Sequence, residues 1–112
     1  AKPINNSVEI IKELERLKKK IIILTKVHSL IEMQLKVKDL RENRGINSPI
    51  MFVPKGVSKH EVVMPNKQIL IDDQKRNINE WTNNGGIGYL FDDKISCDTD
   101  KKVRSLEFLL DM

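Results

Sequence analysis

Two adjacent carboxylates, Asp72 and Asp73, close the apolar run Ile69-Leu70-Ile71. Side by side at the mouth of a buried strand they repel, so the pair requires a cation or a hydrogen-bond donor close by. Ligands of α/β proteins gather at the carboxyl ends of strands, which is where these carboxylates fall. Two further polar residues stand beyond strand-like runs in the same way: Thr25 after Ile21-Ile22-Ile23-Leu24, and Lys59 shortly after Phe52-Val53. A hydroxyl and an ammonium can hold phosphoryl oxygens, and a carboxylate can hold Mg²⁺, which takes one or two carboxylates together with phosphate and water. Gathered on one rim of a parallel sheet, these residues would form a metal and phosphate site.

Each of them also has an ordinary structural use. Thr25 can end a strand and turn the chain toward a helix beginning near Ser29. Lys59 can be a solvated surface lysine, and Asp73 can cap the helix that follows, leaving Asp72 as the sole ligand. Lys59, however, falls in the first turn of a short helix that Ser58 and Glu61 would start as a capping box. A cation there opposes the helix dipole and gains from a neighbouring anion. Gly85-Gly86-Ile87-Gly88 follows a helix and precedes a strand, the reverse of a phosphate cradle, and reads as a helix C-cap and entry turn. His28 and His60 have no companions at ligand spacing, Cys97 lies in a polar segment without nucleophile context, and Trp81 with Ile78 one turn earlier reads as a core anchor.

Elements that could position these groups alternate along the chain. Asn6 and Glu9 resemble a capping box, and Val8, Ile11, Leu14 and Leu17 recur at helical spacing, which predicts a helix over residues 7–19 ending in Lys18-Lys19-Lys20. Ile21–Leu24 reads as a parallel strand covered on both faces. Leu30, Met33, Val37 and Leu40 mark a second helix that stops near Gly45 in a left-handed turn. Strands follow over 49–53, 69–71 and 87–91, with helices beginning at Ser58 and over 74–83, and Val103, Leu106 and Leu109 mark a last helix over about 101–111. This alternation with short connections implies a three-layer, Rossmann-like α/β fold with a parallel sheet of about four strands.

Composition narrows the class. A chain of 112 residues supports one modest core, and 32% charged residues is ordinary for a globular protein. The apolar run at Ile21–Leu24 is far too short to span a membrane. The single cysteine cannot form an internal disulfide, which favours a reducing compartment and a cytoplasmic location. A net charge of +4 could suit nucleic acid, but aromatic residues are 4% and no basic stripe alternates with stacking side chains, which argues against it. A small phosphorylated ligand fits the charge equally well.

Taken in order, Ile21-Ile22-Ile23-Leu24-Thr25, then Ser58-Lys59-x-Glu61-Val62-Val63, then Ile69-Leu70-Ile71-Asp72-Asp73 with Asn77-Ile78-Asn79-Glu80-Trp81 and Gly85-Gly86-Ile87-Gly88, the chain resembles the haloacid dehalogenase (HAD) superfamily. Within it the likeness is to the 5′-nucleotidase and 5′(3′)-deoxyribonucleotidase branch, over residues 2–91, and the last segment is its specific part. The resemblance implies a Mg²⁺-dependent phosphatase of small phosphomonoesters such as nucleoside monophosphates. It makes Thr25 and Lys59 catalytic phosphate-binding groups, and Asp72 and Asp73 the metal-holding carboxylates.

The family's first motif, an Asp-x-Asp that supplies the nucleophile after an apolar strand, has no counterpart. Asp98-Thr99-Asp100 has the letters but follows the polar Ser96-Cys97, and Asp92-Asp93 has the wrong spacing. Without that carboxylate the covalent step is lost and only its supports remain. In the family the strand bearing it is central, between the strands that lead to Thr25 and Asp72. The expectation is therefore a HAD-like fragment, the C-terminal part of a longer phosphatase with Ala1-Lys2-Pro3-Ile4 where the family resumes after its cap, inactive alone. Its flanking strands would close up, take another chain between them, or stay open and invite self-association. The alternative is a non-catalytic, degenerate HAD-like domain that binds a phosphorylated ligand or pairs with another subunit. A receiver-like or flavodoxin-like domain also fits the alternation, but a receiver places its acidic pair after the first strand.

Overall fold

The computed structural model of the chain describes residues 7–112, so the cap expected at Asn6 and the segment Ala1–Ile4 lie outside the described residues. Helix α1 spans Ser7–Arg16 and buries Ile10 and Leu14. It ends short of residue 19 because Lys18 takes a left-handed conformation (φ 60°) and the Lys19 N–H turns back onto the Leu14 carbonyl at 3.0 Å. Strand β1 is Ile23–Val27, helix α2 Leu30–Lys38 and strand β2 Ile50–Pro54. Helix α2 runs into a wider turn over Asp39–Asn43, and Gly45 follows at φ 66°, the expected left-handed stop.

Strand β1 sits two residues beyond its expected place. Its ladder opens with Ile23 N–H on the Pro49 carbonyl, and the parallel register runs from Ile23 beside Ile50 to Val27 beside Pro54. Thr25 thus lies in mid-strand, opposite Phe52, with Lys26 and Val27 beyond it. β-branched character alone does not mark where a ladder begins.

The second half comprises α3 (Lys59–Val62), β3 (Ile69–Asp72), α4 (Lys75–Asn83), β4 (Ile87–Phe91) and β5 (Lys102–Val103). Parallel pairing joins β3 to β4 and β4 to β5. The expected helix over 101–111 is not formed as one element. Lys102–Val103 pairs with Leu90–Phe91, and a short 3₁₀ turn occupies Glu107–Asp111. Val103, spaced as a helical core residue, is instead buried in the strand. Side chains hold that geometry: Asp98 accepts the Arg104 N–H and Thr99 accepts the Lys102 N–H.

The architecture is α/β and parallel, but the single sheet of about four strands is corrected: the described residues form five strands in two sheets, β1–β2 and β3–β4–β5. Among the described residues the strands bearing Thr25 and Asp72 do not pair, so each has an open edge there. The halves are joined by packing instead: Leu24 of β1 lies against the Leu70, Ile78 and Trp81 cluster, together with Val63 and Leu90. Trp81 is anchored by its indole N–H, which donates to the Gln68 carbonyl at 2.9 Å. Glycine makes room for it: a Cβ at Gly86 would stand 2.2 Å from Trp81 Nε1. Gly85, at φ 93°, closes α4 as expected of a C-cap.

Candidate functional site

Strand β3 delivers Asp72 to its carboxyl end, where the residue is 7% exposed. Lys59, first residue of α3, donates to Asp72 Oδ2 at 2.5 Å, and Asn77 Nδ2 donates to the same oxygen at 3.0 Å. The Gln74 backbone N–H donates to Oδ1 at 2.8 Å. This local turn, formed by Asp72 and not by Asp73, leads into α4. The N-cap is Gln74, so the capping role considered for Asp73 is not realised.

The cation that opposes the α3 dipole thus finds its anion within the chain. Glu61 completes the capping box by accepting the Ser58 N–H at 2.9 Å, and the Ser58 hydroxyl donates to Glu80 of α4 at 3.2 Å. Lys59–Asp72 and Ser58–Glu80 therefore tie the segment after β2 to β3 and α4, at the carboxyl ends of strands from both sheets.

Burial pushes the Asp72 carboxyl up, but the hydrogen bond from Lys59, the Gln74 N–H, the Lys59 charge and the Asn77 amide outweigh it, and the group stands below its ordinary value. It is ionised at neutral pH, the form that a metal needs.

Thr25 belongs to a second polar group. Its Oγ1 accepts from Lys36 Nζ of α2 at 2.8 Å, and the same ammonium donates to the Lys26 carbonyl at 2.7 Å. Among the described hydrogen bonds none joins Thr25 to Lys59 or Asp72. Asp73 is exposed, and no described hydrogen bond or ion pair involves its side chain.

The residues around Asp72 can be tested for a fit to Mg²⁺. Among the described residues no group of three or more carboxylate, histidine or cysteine side chains gathers as a metal site. Asn77, 5% exposed, turns its amide nitrogen to the Asp72 carboxylate and keeps its Oδ1 buried with no hydrogen-bond partner among the described residues. A carboxylate with an orphan amide oxygen meets the small protein share that Mg²⁺ requires when phosphate and water supply the rest.

Two contributors escaped the sequence reading. Asn77 stands five residues after Asp72, where the first turn of α4 brings it back over the carboxylate. Lys36 left a fainter signal: it lies four residues after Glu32 and three after Met33, between the charged and apolar stripes of α2. His60 keeps a buried, unpartnered Nδ1, while His28 and Cys97 are exposed. Among the described residues no helix is long and apolar enough to cross a membrane. No protein-family model, no curated protein and no solved structure matches the chain.

Proposed function

We propose that this chain carries the phosphate- and metal-holding part of a Mg²⁺-dependent phosphomonoester hydrolase, HAD-like and nucleotidase-like, acting on nucleoside monophosphates or similar small phosphates in the cytoplasm. The observation that carries this reading is the Lys59–Asp72 pair at the carboxyl end of β3, with the buried Asn77 amide donating to the same carboxylate and its oxygen left unpartnered. Asp72 with Asn77 Oδ1 would hold the metal, and Asp73 stands beside them at the surface. A bound Mg²⁺ supplies charge neutralisation at the phosphoryl oxygens.

The chain's own groups do the rest. Lys59 neutralises Asp72, and its ammonium is the group that would meet a phosphoryl oxygen beside that carboxylate. The Thr25 hydroxyl donates to a second phosphoryl oxygen. The aspartate nucleophile has no counterpart here, so this reading assigns the covalent step to a strand outside these residues and expects no turnover from them alone. A second reading, a non-catalytic module that pairs with another chain or with itself, is favoured by the open edges of β1 and β3.

The test uses the protein as produced from its native gene. Isothermal titration with Mg²⁺, and release of phosphate from nucleoside monophosphates with Mg²⁺ present, are compared for wild type and Asp72→Asn. Both should be lost in the variant while its circular dichroism stays native. Retention of both by a folded Asp72→Asn protein would overturn the hydrolase reading.

A further inference from the structure

Lys36 is the least expected member of the polar groups, and its surroundings define what it can do. An ammonium has three donors and no acceptor. Here one donor goes to Thr25 Oγ1 at 2.8 Å and one to the Lys26 carbonyl at 2.7 Å, while Glu32 Oε1 lies 3.4 Å away, one helical turn back. The charge is therefore answered locally by Glu32, and the donors are directed onto β1. Two of its three donors are thus committed to β1.

Its effect falls on the threonine. A hydroxyl has one donor and two acceptor lone pairs and turns to suit its neighbours. With a cation donating to its oxygen, the Thr25 hydroxyl must point its proton away from Nζ, and among the described hydrogen bonds that proton has no acceptor. A hydroxyl that accepts from a cation is also polarised into a stronger donor. The rotor is thereby biased to donate away from Nζ.

We propose that Lys36 is a positioning residue: it locks Thr25 as a one-way hydrogen-bond donor for a phosphoryl oxygen, and contributes to anion binding through that hydroxyl and not by its own charge. This rests on the phosphate-binding role of Thr25 in the proposed function and adds the device that prepares it. The ligand class is a tetrahedral oxyanion presenting an unprotonated oxygen. The helix α2 supplies the device, so the helix after β1 is joined to the site without touching the ligand.

The experiment is a calorimetric titration of inorganic phosphate, with Mg²⁺ present, into the protein from its native gene. Lys36→Met and Thr25→Val should each weaken binding about five- to tenfold, the value of one net hydrogen bond. The double variant should be no weaker than either single one, since the two residues act as one unit. Lys36→Arg, which keeps a cationic donor, should recover most of the loss. Thermal melts run alongside separate a fold defect from a binding defect.

Losses that add in the double variant, and that shrink as salt is raised, would mean that Lys36 meets the anion by charge and would overturn the proposal. Phosphate affinity unchanged by Lys36→Met but weakened by Thr25→Val and Lys59→Met would also overturn it while leaving the phosphate site standing. Affinity unchanged by Lys59→Met, Thr25→Val and Lys36→Met alike, or no binding by the wild type, would remove the underlying site as well.

Discussion

The two half-sheets treat their helices differently. On β3 and β4 lies α4, which buries Asn77, Ile78 and Trp81 and closes the Asp72 cluster with a buried amide. Beside β1 lies α2, which has no buried residue and leaves Leu30, Ile31 and Leu35 each more than 60% exposed. Accordingly Asp72 is held by three donors from three segments, whereas Thr25 is held by one lysine. The lesson is that a polar site can be as firm as the apolar packing behind it. The β3–α4 unit has its own core; the first half relies for its core on Ile10 and Leu14 of α1, with Val27, Ile46 and Val53, and not on α2.

The sharpest way to break this contrast is to remove the anchor of the firmer half. Trp81→Ala deletes the largest side chain of the cluster and removes the indole donor to the Gln68 carbonyl, which keeps its bond from the Ile87 N–H. A loss of about 3–5 kcal/mol is expected for such a deletion, read as a fall in the urea midpoint. The Asp72 cluster should loosen with it, because Asn77 sits one turn earlier on the same helix. A drop below about 1 kcal/mol, outside the usual range for a buried aromatic, would show that α4 does not organise this half.

How much of this was legible depended on whether a signal was local. Asp72 stood out because an apolar run followed by an acid marks a strand end, and the ladder from Ile69 to Asp72 ends there. The Ser58–Glu61 box and the Gly85 cap are likewise written in neighbouring residues. Thr25 follows an apolar run and so reads as a strand end, yet it lies in mid-strand, because nothing in Ile21-Ile22-Ile23 says which residue first meets Pro49. Val103, Leu106 and Leu109 carry helical spacing, yet the turn residues Asp98 and Thr99 and the open edge of β4 won, and a strand formed. Lys36 on Thr25 was hidden altogether, because the crossing of helix and strand that joins them is tertiary.

A smaller effect sharpens the electrostatic side of the comparison. The folded Asp72 carboxyl lies below its ordinary value of 3.8. A carboxylate depressed on folding contributes stability that is fully present above the ordinary value and is lost as pH falls through the depressed one. The gap in urea midpoint between wild type and Asp72→Asn should therefore be constant near neutrality and narrow as pH drops below 3.8. Asp39 and Glu13, also lowered by Asn43 with Arg44 and by Arg16, remain in both proteins and cancel in the difference. A gap independent of pH across that range would mean that the Asp72 hydrogen bonds act without its charge.

The smallest expected effect concerns the face of α2 that the first half leaves uncovered. Ile31 and Leu35 are one helical turn apart, 69% and 63% exposed, and α2 is started by Ser29 accepting the Glu32 N–H at 3.1 Å, a cap that owes nothing to either side chain. Replacing an exposed apolar residue removes little buried area, so Ile31→Ser with Leu35→Gln should shift stability by no more than about 0.5 kcal/mol per site. The measurement is the urea midpoint at two protein concentrations tenfold apart. A larger loss that grows with concentration would mean that this face is covered by a second copy in solution, since association stabilises by mass action. The contrast between the halves would then hold only for the isolated chain. A small loss at both concentrations would establish that α2 stands by its cap and its Lys36 contact to β1, and that the firmness of the Asp72 cluster comes from the other half alone.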